Sequence, residues 1–168
     1  MKNWLRLFLV LSLWVATGIG GAYGANWLTS YREALSRAKK EKKIVLMNFT
    51  GSDWCPWCQK LEKEVFSTPE FKAYADKHLI LLFVDFPQHK ELPPDLKKQN
   101  DELADKFGVD SYPTLIFLDP SGKKIGELGY MPGGPKVFLA EVERIRLGKG
   151  HAQDLTAPQE GSSRVSLP

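Results

Sequence analysis

Two cysteines occur in the 168 residues, Cys55 and Cys58, inside Gly51-Ser52-Asp53-Trp54-Cys55-Pro56-Trp57-Cys58. Thiols at that spacing can exchange disulfides, form a fixed bridge or share a metal ion. A fixed bridge is a poor explanation: the loop-entropy relation, stretched to so short a loop, gives about 2 kcal/mol, against about 4.7 for a 100-residue loop. Half of a zinc site is a poor one too, because zinc takes four ligands. The chain has no other cysteine, and His78, His89 and His151 are scattered and read as solvated loop or helix-end residues. Redox exchange is left as the reading that uses the pair.

The surrounding elements must then present the two sulfurs. Ile44-Val45-Leu46-Met47-Asn48-Phe49 is short, apolar and partly β-branched, as a buried strand is. Beyond the pair, Cys58, Leu61, Val65 and Phe66 recur at helical spacing. Pro56 suits a first helical position, where its missing N–H costs nothing. Cys55 is thereby the N-cap, facing the free N–H groups of Trp57 and Cys58 at the positive end of the helix. Both effects favour thiolate, so Cys55 is the expected nucleophile. Cys58 is the expected resolving thiol, one turn on and about 5 to 6 Å away between Cα atoms.

Composition bounds the remaining choices. With 43% hydrophobic and 11% aromatic residues the chain can bury a core as one domain. The net charge of +3 carries no basic stripe, and no nucleic-acid partner is expected. Two cysteines are too few for a disulfide-rich secreted scaffold. Residues 1–24 read as a signal peptide, with Lys2 and Arg6, the uncharged apolar core Leu7 to Ala16, then Gly18 to Ala25. Cleavage after Ala22-Tyr23-Gly24 leaves no stable membrane insertion; Leu7 to Ala22, the alternative uncleaved anchor, falls short of the roughly 20 residues a span needs. The expected location is periplasmic or secreted, where dithiols can persist oxidised.

The folded domain is expected over 25–148, and the small polar residues of 149–168 predict a disordered tail. The capping box Ser30-Tyr31-Arg32-Glu33 predicts a helix over about 29–42, with Trp27, Leu28, Tyr31, Leu35 and Ala38 as one apolar stripe. The helix from Pro56 is expected to reach Ser67, and another starts at Thr68-Pro69-Glu70 with Phe71, Tyr74, Ala75 and His78 on one face. Leu79 to Phe86 reads as a central strand and Asp95 to Phe107 as a helix turning Leu96, Leu103 and Phe107 inward, with Lys97 to Glu102 as solvated surface. Strands Thr114 to Leu118 and Lys123 to Gly129 form a hairpin about Asp119-Pro120-Ser121-Gly122. A last helix, Pro135 to about Leu147, turns Val137, Phe138, Val142 and Ile145 inward. This order describes an α/β mixed central sheet with helices on both faces.

A strand, then Trp54-Cys55-Pro56-Trp57-Cys58 at a helix start, then Tyr112-Pro113-Thr114 opening a hairpin: together these resemble thioredoxin over about residues 27–147. Asn48 to Cys58 with Leu61 to Phe66 is more narrowly similar to exported bacterial thioredoxin-like proteins. The resemblance implies a thioredoxin-like fold and a cis bond before Pro113, which lies beside the cysteines. It also implies a backbone at Tyr112 presented to substrate. Activity then means exchange with cysteines or disulfides of exported proteins, with a redox partner protein and no metal or organic cofactor. Trp54 and Trp57 flank the sulfur as contact surface.

Three departures accompany the resemblance. Asn48 stands where thioredoxin keeps a buried acid, and Leu81 falls near the place of its lysine. A base for the resolving step must come from water or another group, and Asp53 is the nearest by sequence, with a solvated loop acid as its ordinary role. Pro56-Trp57 between the cysteines differs from thioredoxin's pair, so the potential is open over about 150 mV. A soft-metal site holding Cu(I) on the two thiolates, and a redox-inert scaffold, are the alternatives.

Overall fold

The computed structural model describes residues 26–149. The signal-peptide reading of residues 1–24 and, but for its first residue, the tail reading of residues 149–168 lie outside the described residues. Within them the chain runs β1 (Trp27–Leu28), α1 (Tyr31–Glu41), β2 (Ile44–Thr50), α2 (Pro56–Leu61), a π-helical turn (Glu62–Phe66) and α3 (Pro69–His78). It continues with β3 (Leu79–Asp85), α4 (Pro94–Phe107), β4 (Thr114–Leu118), β5 (Lys124–Leu128) and α5 (Gly134–Arg146). No helix among the described residues is long and apolar enough to cross a membrane.

The sheet order is β1-β3-β2-β4-β5. β3 lies parallel to both β1 and β2, while β4 runs antiparallel to β2 and β5 antiparallel to β4. This is the expected mixed sheet, covered on both faces. Because side chains alternate along a strand, Ile44, Leu46, Leu79, Leu81, Leu115 and Phe117 turn to one face. There they meet Leu61, Val65, Phe66, Phe71, Phe138 and Val142 from α2, the π turn, α3 and α5. Val45, Met47, Phe49, Ile80, Leu82, Ile116 and Leu118 turn to the other face, against Ala34, Ala38 and Leu103 of α1 and α4. The same parity aims Asn48 and Thr50 at the α2 face, with Phe83 paired across from Asn48.

Several expectations are corrected. Trp27 and Leu28 do not extend the first helical stripe; they form β1, paired with Leu81 and Leu82. Two residues are too short for a strand signal in the sequence, and helical spacing with Tyr31 and Leu35 was coincidental. The first helix does begin at the Ser30 cap, whose Oγ accepts from the Glu33 N–H at 3.3 Å. The helix from Pro56 stays α-helical only to Leu61, and the Ser67 N–H then reaches back five residues to the Glu62 carbonyl at 2.9 Å. That wider turn buries Val65 and Phe66 together. Asn100, placed with solvated surface, is 1% exposed and donates its Nδ2 to the Asp85 carbonyl at 2.9 Å. Val137, expected inward, is exposed, since α5 turns Phe138, Val142 and Ile145 to the core instead.

Candidate active site

Between the end of β2 and the start of α2, residues 51–55 fold into a tight turn. The N–H groups of Trp54 and Cys55 both donate to the Gly51 carbonyl, at 3.2 and 2.8 Å. Gly51 must be small here, because a Cβ at that position would lie 2.3 Å from Cε2 of the Trp54 ring. Three consecutive residues then clamp the turn onto the chain leaving β3. Ser52 donates its N–H and its Oγ to the Asp85 carboxylate at 2.9 and 2.7 Å. Asp53 accepts from the N–H groups of Gln88 and His89 at 2.9 and 2.8 Å. Trp54 donates Nε1 to the Phe86 carbonyl at 2.7 Å.

This clamp fixes where α2 begins. Cys55 is its N-cap, with extended backbone (φ −87°, ψ 109°), and its Sγ accepts from the Cys58 N–H at 3.1 Å. Pro56 takes the first helical position as expected. The two sulfurs are joined in a disulfide, with Cα atoms 5.3 Å apart. Both residues are buried, Cys55 at 3% and Cys58 at 6% exposure. Cys55 Sγ lies 3.7 Å from the Tyr112 carbonyl oxygen, and the Tyr112–Pro113 bond is cis. The sulfur and a backbone carbonyl are thus set side by side.

Aromatic rings frame the sulfur on two sides. On one, Trp54 meets Tyr112 edge-on with centroids 5.8 Å apart, and Tyr112 meets Phe86 at 5.3 Å. On the other, Trp57 is 55% exposed and lies 5.2 Å from Tyr130. Lys60 Nζ sits over both rings, and the Tyr130 hydroxyl donates to Glu64 at 2.7 Å. An exposed tryptophan held by its neighbours is ordered apolar surface ready for contact. Of the six residues singled out from sequence, Trp54, Cys55, Cys58 and Tyr112 are joined by these contacts, while Trp57 lies between the cysteines in the chain and packs on Tyr130, and Pro113 follows Tyr112 through the cis bond.

Two placements differ from the expected ones. Asp53 is not the base for Cys58; both its oxygens are taken by backbone amides of the 86–89 segment. Desolvation pulls its carboxyl upward, but the Gln88 and His89 amides and the His89 ring outweigh that and leave it below the ordinary value. The residue facing Asn48 across the sheet is Phe83, with Leu81 paired to Leu46. No lysine or acid of β3 meets Asn48.

Sequence reading missed Glu62. It lies four residues after Cys58, so both point to one side of the helix. Together with Asn48, Thr50, Ser67 and Phe83 they line a cleft of about 280 Å³. Burial raises the Glu62 carboxyl above its usual range, and the Ser67 hydroxyl and Lys72 oppose this. The signal was available, since a glutamate stands in register with Cys58 on the face that Val65 and Phe66 bury.

Comparison with known proteins places this arrangement. Residues 31–145 match the family described as Thioredoxin-like domain. "Disulfide bond reductase DsbH" of Chlamydia pneumoniae is 39% identical over 114 residues, 68% of this chain and 69% of that one. "Thioredoxin-related protein DsbJ" of the same organism is 31% identical over 103 residues, covering 61% of this chain and 30% of that longer one. Among solved structures, "DsbH Oxidoreductase" superposes with a TM-score of 0.69 at 32% identity, covering 86% of this chain and 93% of that one.

Proposed function

Because the chain belongs to the thioredoxin-like family and is a thiol–disulfide oxidoreductase, we propose that it works outside the cytoplasm, reducing disulfides of exported proteins. The observation that carries the reading is the capped Cys55 sulfur: it accepts the Cys58 N–H, has its partner sulfur one turn away and faces a backbone carbonyl at 3.7 Å. The reductive direction is supported by the name of the 39%-identical relative, a disulfide bond reductase. Export is supported by the charged, then apolar, then small-residue pattern of residues 1–24.

In this reading the Cys55 thiolate attacks one sulfur of a substrate disulfide, and the first substrate thiolate leaves. A mixed disulfide joins Cys55 to the other half. Cys58 then attacks Cys55 and releases the second substrate thiol, so the substrate gains two electrons and the protein is left as the disulfide. Tyr112 and Pro113 hold the substrate's extended chain beside the sulfur, and Trp54 and Trp57 supply apolar contact. A redox partner protein restores the dithiol, and no metal or organic cofactor takes part. The 39%-identical relative is named for disulfide chemistry, which favours exchange over the soft-metal alternative.

Two measurements test this. Cys58→Ala expressed with its leader should accumulate covalent adducts through Cys55 in the exported fraction. Equilibration of the native pair with glutathione should give a potential near the thioredoxin end, about −270 mV. An absence of adducts together with a potential near −120 mV would show the reductase reading to be wrong.

A further inference from the structure

Cys58 must lose a proton before it can attack the mixed disulfide, yet it is only 6% exposed and faces inward. What it faces is the cleft of about 280 Å³ lined by Asn48, Thr50, Cys58, Glu62 and Phe83, roomy enough for several water molecules. Asn48 is 4% exposed, and its Oδ1 has no hydrogen-bond partner among the described residues. A buried carbonyl oxygen left unpaired costs roughly 1–3 kcal/mol, so this atom calls for water in the cleft.

We infer that Glu62 accepts the Cys58 proton through water held in this cleft, with Asn48 Oδ1 anchoring that water from the sheet side. The geometry follows from the fold: Cys58 and Glu62 are successive on one helix face, with Cβ atoms about 5–6 Å apart. No hydrogen bond joins the two side chains directly, since the carboxylate is engaged by Ser67, and a water in the cleft can bridge them. Ser67 Oγ donates to Glu62 Oε1 at 3.0 Å and holds the carboxylate in place, leaving the other oxygen for the cleft. The groups facing Glu62 that carry charge or titrate are Cys58 and Lys63 on its own helical segment and Lys72 from α3. From the strands come Asn48, Thr50 and Phe83, none of which titrates.

The step balances simply. The Cys58 thiol gives its proton to the Glu62 carboxylate, the new thiolate bonds to Cys55 sulfur, and the Cys55–substrate bond breaks with its electron pair on the departing sulfur. When a partner reduces the pair again, the Glu62 proton returns to Cys58. The raised Glu62 carboxyl, held up by desolvation, accepts and returns a proton closer to neutral pH than an exposed glutamate does.

The inference rests on exchange chemistry at the pair, and the test separates the two. Reduced protein mixed with dithiobis(nitrobenzoate) releases one coloured thiolate when Cys55 attacks and a second when Cys58 resolves the mixed disulfide. Glu62→Gln should leave the first release unchanged and slow the second by on the order of 10- to 100-fold at pH 7. It should also remove the acid-side inflection from the pH profile of the second release. Asn48→Asp, which puts a carboxylate into the same cleft from β2, should restore most of the second rate in the Glu62→Gln background. A second release within twofold of the parent's, an equal slowing of both releases, or no recovery with Asn48→Asp overturns the inference. Failure of the parent to release the first thiolate would instead overturn exchange at Cys55.

Discussion

Replacing Gly51 with alanine adds a single methyl group at the turn that sets the start of α2. That methyl would lie 2.3 Å from Cε2 and 2.5 Å from Nε1 of Trp54. The ring cannot easily step aside, because Nε1 donates to the Phe86 carbonyl at 2.7 Å and the ring packs nearly perpendicular to Tyr112. Overpacking of this kind costs about 1–3 kcal/mol, and loss of the Nε1 hydrogen bond adds roughly 1 kcal/mol. The Gly51 backbone does not have the positive φ that L residues avoid. Alanine therefore carries no backbone strain, and it restricts the unfolded chain by about 0.4–1 kcal/mol in favour of folding. The net expectation is a loss of about 1–3 kcal/mol, read from urea denaturation followed by circular dichroism. The control is the same change in a Trp54→Ala background, where the obstructing ring is gone and Gly51→Ala should be neutral or slightly stabilising. Additive effects, with Gly51→Ala costing the same in both backgrounds, would refute the close approach of Gly51 and Trp54 as the reason for glycine.

The remaining expectations concern binding, packing and pH. Trp57→Ala should change stability by less than about 0.5 kcal/mol, because the side chain is more than half exposed. It should raise KM for a disulfide-bonded protein substrate by about fivefold, with little effect on reaction with a small aromatic disulfide. Asn100→Leu leaves the Asp85 carbonyl without its Nδ2 donor and should cost about 1–3 kcal/mol in denaturant unfolding. The Arg146 guanidinium, followed by the Tyr74 hydroxyl, holds the Glu143 carboxyl down at about 2. Its stabilising effect is therefore present above the unfolded value near 4.3 and disappears as pH falls from about 5 to about 2. The pair is partly exposed, so parent and Glu143→Gln should differ by about 0.5–1 kcal/mol at pH 6, with the difference shrinking below about pH 4 and vanishing only below about pH 2.

The site was legible to the extent that it is local. Cysteine spacing, Pro56 and the apolar runs on either side place a capped sulfur at a strand-to-helix junction, and the structure has it there. Tyr112 and Pro113 could be joined to Cys55 only through resemblance, since 57 residues of chain separate them and strand order alone brings them to 3.7 Å. Longer-range pairings were invisible for the same reason. β1 is two residues long and is defined by its parallel partners in β3. Asn100 looks like any polar helix residue until the end of β3 lies against it. Asp53 is two residues from Cys55 in sequence, yet the turn directs its carboxylate toward the 86–89 segment. Glu62, farther along the chain, is returned to the cysteines by one turn of helix. Proximity along the chain misled where a turn reverses direction, and helical periodicity gave the better guide.

The central claim is that the start of α2 makes Cys55 the reactive sulfur of the pair. It is tested most directly by alkylating the reduced protein with limiting iodoacetamide across pH 4 to 10 and locating the label on each cysteine by mass spectrometry. Cys55 should take the label first, with a midpoint below about 8.5, the value of a free cysteine, while Cys58 lags at every pH. A Cys55 midpoint at or above that value, or faster labelling of Cys58, would contradict the account.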